Sequence, residues 1–200
     1  MKLVFIYSVL LSFQITFCSA QTPVHQKNHI IKLPAAHLRK LTQSNIKGYV
    51  VFIDERGNNI ELTDNTDNYQ EVITPPNSPY SYYRTYPKKS LILKNEGTLF
   101  YGNAIGIDKT YDRHGRIIKK INTDSGYYFS INSLISLLRI TYKIDLLKLD
   151  SRHSVSREDD DSGRLFYNVV LHTGGNTYRR LGIDGKTGSI ITDETGIYVE

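Results

Sequence analysis

The sequence predicts an α+β protein: an antiparallel, hairpin-rich sheet followed by a helix packed on a small antiparallel sheet. Three observations predict it. From Asn45 onward apolar residues recur with period two or in short runs, the pattern of strands. One turn arrangement occurs three times, in FIDERGNNI at 52–60, TYDRHGRII at 110–118 and GIDGKTGSI at 182–190. A single segment, SINSLISLLRITYK, carries apolar residues at helical spacing.

In order, MKLVFIYSVLLSFQITFCSA opens the chain with Lys2, an apolar run from Leu3, and the small residues Ser19 and Ala20 before Gln21. This is the form of a secretory signal peptide over residues 1–20, too short and too polar in its sequel for a membrane span. Cleavage is expected after Ala20, with no transmembrane segment after it. The rival reading, a lipoprotein acylated on Cys18, meets the bulky Phe17 where a small residue is usual. The expected location is the periplasm or the extracellular medium.

Cleavage removes the only cysteine and the only methionine. Thiol nucleophiles, disulfides and thiolate metal sites are thereby excluded for the exported chain. Losing Lys2 leaves 24 basic against 20 acidic side chains. Five of the basic ones, Lys27, Lys32, Arg39, Lys40 and Lys47, precede Asp54, the first acidic residue, so the excess belongs to an N-terminal arm. Such an arm is a solvated leader or rests on an anionic surface. Nucleic acid is not an expected partner without a wider basic face.

Residues 21–45 read as a basic linker with a short helix over Ala35 to Leu41. His25, His29 and His37 within it read as exposed and non-ligating, with Pro23 beside them and no carboxylate near. Residues 46–126 read as a β-rich region of about five strands: a hairpin of Tyr49 to Ile53 and Ile60 to Thr63, then Leu91 to Lys94, Thr98 to Ile107 with a bulge at Gly102, and Arg116 to Asn122. Between them, DNTDNYQE and TPPNSPYSYY read as a long loop, because Pro75, Pro76 and Pro79 cannot donate to a ladder.

Residues 127–200 read as an α+β region. Ser130 suits an N-cap, and Ile131, Leu134, Ile135, Leu138 and Tyr142 share one helical face. REDDDSGR follows as a turn, LFYNVVLHT and NTYRRLGID as strands joined by GGN, and SIITDETGIYVE as one or two more.

In the repeated turn an Asp ends a strand, a Gly supplies positive φ, and an Ile begins the return. Asp112 and Gly115 form one copy, Asp184, Thr187 and Gly188 another, and both read as structural. The middle copy, TYDRHGRIIKKINTDSGYYFSI, resembles a single YD repeat of large bacterial secreted proteins through Tyr111, Asp112, Gly115, Arg116, Gly126 and Tyr128. The likeness implies only a strand-turn-strand form. The last copy, with Ile183, Asp184, Thr187, Gly188 and Ile190 after the strand Tyr167 to Leu171, resembles the ending of a PepSY-type module over about residues 130–195. Such modules occur in exported bacterial proteins and in protease propeptides. The resemblance implies a helix with antiparallel strands, binding or restraint of a partner, and no catalytic residues.

Sequence motifs for catalysis are missing: no Gly-x-Ser-x-Gly elbow, phosphate loop or His-Glu-x-x-His occurs. Asp112 with His114 is the least implausible hydrolase pair, and Ser151, His153 and Ser154 are neighbours only in sequence. The run Glu158 to Asp161 reads as a solvated turn or a calcium loop. Tyr80, Tyr82, Tyr83, Arg84 and Tyr86 form a tyrosine-rich, basic segment suited to an interaction site. The expectation is therefore a non-enzymatic exported bacterial protein, without cofactor or metal, serving as a protein-binding or regulatory module of the cell envelope or secretome. The alternative is a glycan or cell-surface binder using those tyrosines.

Overall fold

The structure is a computed structural model describing residues 30–148 and 153–198. The leader with Cys18, the linker as far as residue 29 with His25 and His29, and Ser151 lie outside the described residues.

The α+β expectation is overturned. Among the described residues the protein is mostly β, with eleven strands in two antiparallel sheets and only two short helices. After α1 (Ala35–Thr42) the chain lays down β1 (Tyr49–Ile53), β2 (Asn59–Asp64), β3 (Asn68–Thr74), β4 (Tyr80–Pro87), β5 (Asn95–Phe100), β6 (Asn103–Tyr111) and β7 (Ile117–Asn122). Each strand pairs with the next, giving a seven-stranded meander. Then come α2 (Ile131–Tyr142), β8 (Ser154–Asp159), β9 (Leu165–Gly174), β10 (Thr177–Asp184) and β11 (Ile190–Ile197), the strands forming a four-stranded meander.

The first region thus has seven strands where about five were expected. The segment read as a long loop is β3 and β4. Its prolines fall in the turn between these strands, residues 75–79, where no ladder donor is needed. The inward positions of the two strands are partly charged, so hydrophobic alternation does not mark them. The expected strand Thr98 to Ile107 is a hairpin, β5 and β6, with Tyr101 and Gly102 at φ 47° and 80° as its two-residue turn. Leu91 to Lys94 is not a ladder strand; Lys32 and Ile92 form an isolated bridge, and Leu33 N–H donates to Leu91 O at 2.9 Å.

The helix Ile131–Tyr142 begins where the sequence places it. Ser130 Oγ accepts from Ser133 N–H at 3.1 Å. Leu134, Ile135 and Leu138 join one buried cluster with Phe100 of β5, Val155 of β8, Tyr167, Val169 and Leu171 of β9, and Leu181 and Ile183 of β10. The core therefore draws on both sheets. A smaller cluster holds Leu33, Leu41 of α1, Leu62, Tyr86 and Leu93.

Polar groups tie the sheets together beside β8. Asn103 Nδ2 donates to Val155 O at 2.6 Å and Asn103 Oδ1 accepts from Arg157 N–H at 3.1 Å, so one amide side chain takes the place of a neighbouring strand. The Arg157 guanidinium reaches Ala104 O at 2.9 Å and Asp124 Oδ1 at 2.7 Å. Among the described residues no helix is long and apolar enough to cross a membrane.

Candidate functional site

Strand register sorts the tyrosine-rich segment into two faces, because residues opposite each other in an antiparallel pair share a face and neighbours alternate. Tyr80, Tyr82, Arg84 and Tyr86 point to one side of the seven-stranded sheet, and Tyr83 to the other. Tyr83 lies near Asp108, and burial, then that carboxylate, pushes its hydroxyl well above the usual range.

On the first face, the register Glu71↔Arg84↔Glu96↔Lys109 sets four charges of alternating sign in a row across β3 to β6. The neighbouring row is Phe52↔Ile60↔Ile73↔Tyr82↔Thr98. Both ends of this face are covered. Tyr80 and Phe100 pack into the core shared with α2, and Tyr86 packs beneath Leu33, Leu41 and Leu93. Between the covered ends a groove crosses the strands. One part, of about 280 Å³, is lined by His37, Arg56, Ile60, Ile73, Tyr82 and Arg84. The next, of about 270 Å³, shares Tyr82 and Arg84 and continues to Glu96, Ile107 and Lys109. From β2 to β6 there are four strand spacings, or about 19 Å.

Charges on the floor are mutually engaged. Glu71, 1% exposed, accepts from Tyr86 Oη at 3.0 Å and pairs with His37 Nδ1 at 2.7 Å. Burial first, and then Glu71, pushes the Tyr86 hydroxyl well up. Glu96 Oε1 accepts from Lys109 Nζ at 3.3 Å and Tyr111 Oη at 2.5 Å, and its other oxygen lies 3.8 Å from Arg84 Nε. Burial, then that contact with Glu96, pushes Tyr111 up to about 12.

Of the residues expected to bind, Tyr82 is the one presented to solvent, at 45% exposure, with Arg84 beside it. Tyr80 and Tyr86 are packed, so a platform of four tyrosines does not form. His37, read as an exposed histidine, is instead the contact of α1 with Glu71, and its ring meets Phe52 edge-on at 5.0 Å. Glu71 lies 34 residues from it in sequence, and no local pattern announces the pair.

The remaining candidates are turns. Asp112 Oδ1 accepts from the N–H groups of His114 and Arg116 at 2.8 and 3.0 Å, and Oδ2 from Arg116 Nε at 2.7 Å. These bonds, the Arg116 backbone bond foremost, hold its carboxyl at about 2, and Gly115 has φ 75°. The carboxylate serves the turn, and the His114 ring bonds to Arg113 rather than to Asp112. Asp184 Oδ1 accepts from Lys186 N–H, Thr187 N–H and Thr187 Oγ1 at 3.0, 2.8 and 2.9 Å, and Oδ2 from Arg164 Nε at 2.7 Å. Asp160 repeats the device with Ser162 and Arg164, and Glu158 and Asp159 lie on β8 rather than in a turn. Among the described residues no group of three or more His, Cys, Asp or Glu is placed to hold a metal ion.

The Arg164 bond, and then the Thr187 N–H, hold the Asp184 carboxyl far below the usual carboxylate range. A carboxyl lowered in the folded state contributes stability above its unfolded value, about 3.9, and loses it as pH falls toward the folded value. We expect the melting temperature to fall below about pH 4, and Asp184→Asn to flatten that fall. An unchanged acid slope in the variant, measured by circular dichroism melts from pH 7 to pH 2, would count against this role.

No family model, curated protein or solved structure matches the chain.

Proposed function

We propose that the chain is a non-enzymatic exported protein that binds a protein partner, taking an extended segment of it in the groove across β2 to β6. Tyr82 carries this reading: a half-exposed tyrosine on the groove floor between the covered ends of the sheet face, with Arg84 beside it. Tyr and Arg are the residue types that dominate binding energy at protein interfaces. Isoleucines flank Tyr82 on the floor, and the charge row supplies donors and acceptors in alternation. A span of about 19 Å suits about six extended residues.

The groove's imidazole and carboxylate pair supports a binding role, since both Glu71 oxygens are occupied and the pair joins α1 to the sheet. Export follows from the leader's composition, and the likeness to PepSY modules, which bind or restrain partners, points the same way.

The test is quantitative capture from an envelope and culture-supernatant extract. Tyr82→Ala should weaken binding of the captured protein by about 30-fold, the loss of about 2 kcal/mol expected of a hot-spot tyrosine. Tyr128→Ala, at a residue 80% exposed elsewhere, should leave it unchanged. Equal capture by the Tyr82 variant and the unaltered chain would rule the groove out.

A further inference from the structure

Among the described residues four strands lie at sheet edges: β1, β7, β8 and β11. An edge presents unpaired backbone groups, and proteins usually cover or blunt it. Two of the four are attended to. Asn103 occupies the backbone of β8, and α1 lies against β1, with His37 and Lys40 over Phe52. By contrast, every residue of β7 is exposed, and in β11 every residue but Gly196. Both carry large apolar side chains into solvent: Ile117, Ile118 and Ile121 on β7, Ile190, Ile191 and Ile197 on β11.

The two open edges are opposite in charge. β7 reads IIKKIN and β11 reads IITDETGI. Lys119 and Lys120 have no ion-pair partner among the described residues, nor has Glu194, while Asp193 is held by Arg179 at 2.6 Å. Laid antiparallel, the two strands admit a register in which Lys119 stands opposite Glu194 and Lys120 opposite Asp193. The same register sets Ile118 against Thr195 and Ile121 against Thr192. Opposite charges facing across a ladder favour pairing, and like charges oppose it.

Self-pairing of either edge meets that opposition. Centred on its own two-fold axis, β7 would set Lys119 against Lys120 of the other copy, and β11 would set Asp193 against Glu194.

We propose that β7 of one copy pairs antiparallel with β11 of a second copy, joining the seven-stranded sheet of one to the four-stranded sheet of the next. The contact is head to tail: each copy keeps one unused β7 or β11, so growth continues unless the rotation closes a ring. It involves neither Tyr82 nor the groove, so assembled copies display the groove repeatedly.

Sedimentation velocity on the full chain tests this, with single charge reversals at the facing positions. The unaltered chain should gain weight-average mass with concentration and lose it in 0.5 M salt, where surface ion pairs are screened to about 4 Å. Lys119→Glu alone and Glu194→Lys alone should each associate about tenfold more weakly. An equimolar mixture of the two should recover association, because each reversed edge then finds its complement. Circular dichroism checks that both variants are folded, and Lys148→Glu, on neither edge strand, should leave association unchanged. A chain that stays monomeric at all concentrations, reversals without effect on a self-associating chain, or folded variants that fail to recover on mixing would each overturn the proposal.

Discussion

Arg157→Met should lower the free energy of unfolding by about 3–5 kcal/mol, the cost expected when one partner of a buried ionic network is removed. The Arg157 side chain is 9% exposed. Its guanidinium donates to Ala104 O, Thr123 O and Asp124 Oδ1, and stacks 4.4 Å from the Tyr127 ring centre. Met keeps much of the apolar stem but none of the donors, leaving two carbonyls and a carboxylate at the junction of the sheets. Asp124 is 40% exposed and regains water readily, so the penalty falls mainly on the carbonyls. Urea unfolding should show a lower midpoint. A loss under about 1 kcal/mol would mean that the junction is held by the apolar cluster around Phe100 and Leu134 instead.

Gly188→Val should destabilise by about 3 kcal/mol, through two additive causes. Gly188 has φ 75°, where an L-residue with a Cβ is strained by about 1–2 kcal/mol. A Cβ there would also lie 2.3 Å from Phe129 Cε2, forcing the ring out of its place. Gly102→Ala separates the causes, since Gly102 has φ 80° but nothing within 4 Å of its would-be Cβ. That variant should lose only the backbone share, about 1 kcal/mol. Equal losses in thermal melts of the two would remove the Phe129 contact from the account.

Gly188 belongs to the part of the fold that was legible in the sequence, while Gly102, read as a bulge, is the turn of a hairpin. Asp112 with Gly115, Ser130 at the start of α2, and Asp184 in its bonds to Lys186, Thr187 and Gly188 act across at most four positions, so local spacing reveals them, whereas the Arg164 bond to Asp184 spans 20 residues and has no local mark. The strands β3 and β4 depend on partners in space. Glu71 points inward because His37 and Tyr86 satisfy it, and Arg84 faces Glu96 across a ladder. Without knowledge of those partners, NYQEVIT and YSYYRTYP look polar and loop-like. The same blindness led to the wrong fold class. One amphipathic helix was visible as a layer, while two strands of the larger sheet were hidden by their charged inward faces.

Tyr82 and Arg84 were singled out as candidate interaction residues from composition alone. Their pairing on one face, and the removal of Tyr83 to the other, follow only from register. His37 was read as exposed and Arg157 as the start of a turn for a similar reason: each is held by a segment more than 30 residues away.

The most direct measurement is photo-crosslinking from the groove itself. A benzoylphenylalanine placed at position 82 in the full chain, illuminated in the envelope and supernatant extract, should join covalently to one protein partner. Fragmentation should locate the attachment within an extended segment of that partner, and the same label at position 128 should not capture it. Capture from position 128 but not from position 82 would contradict the claim that the groove is where this protein binds.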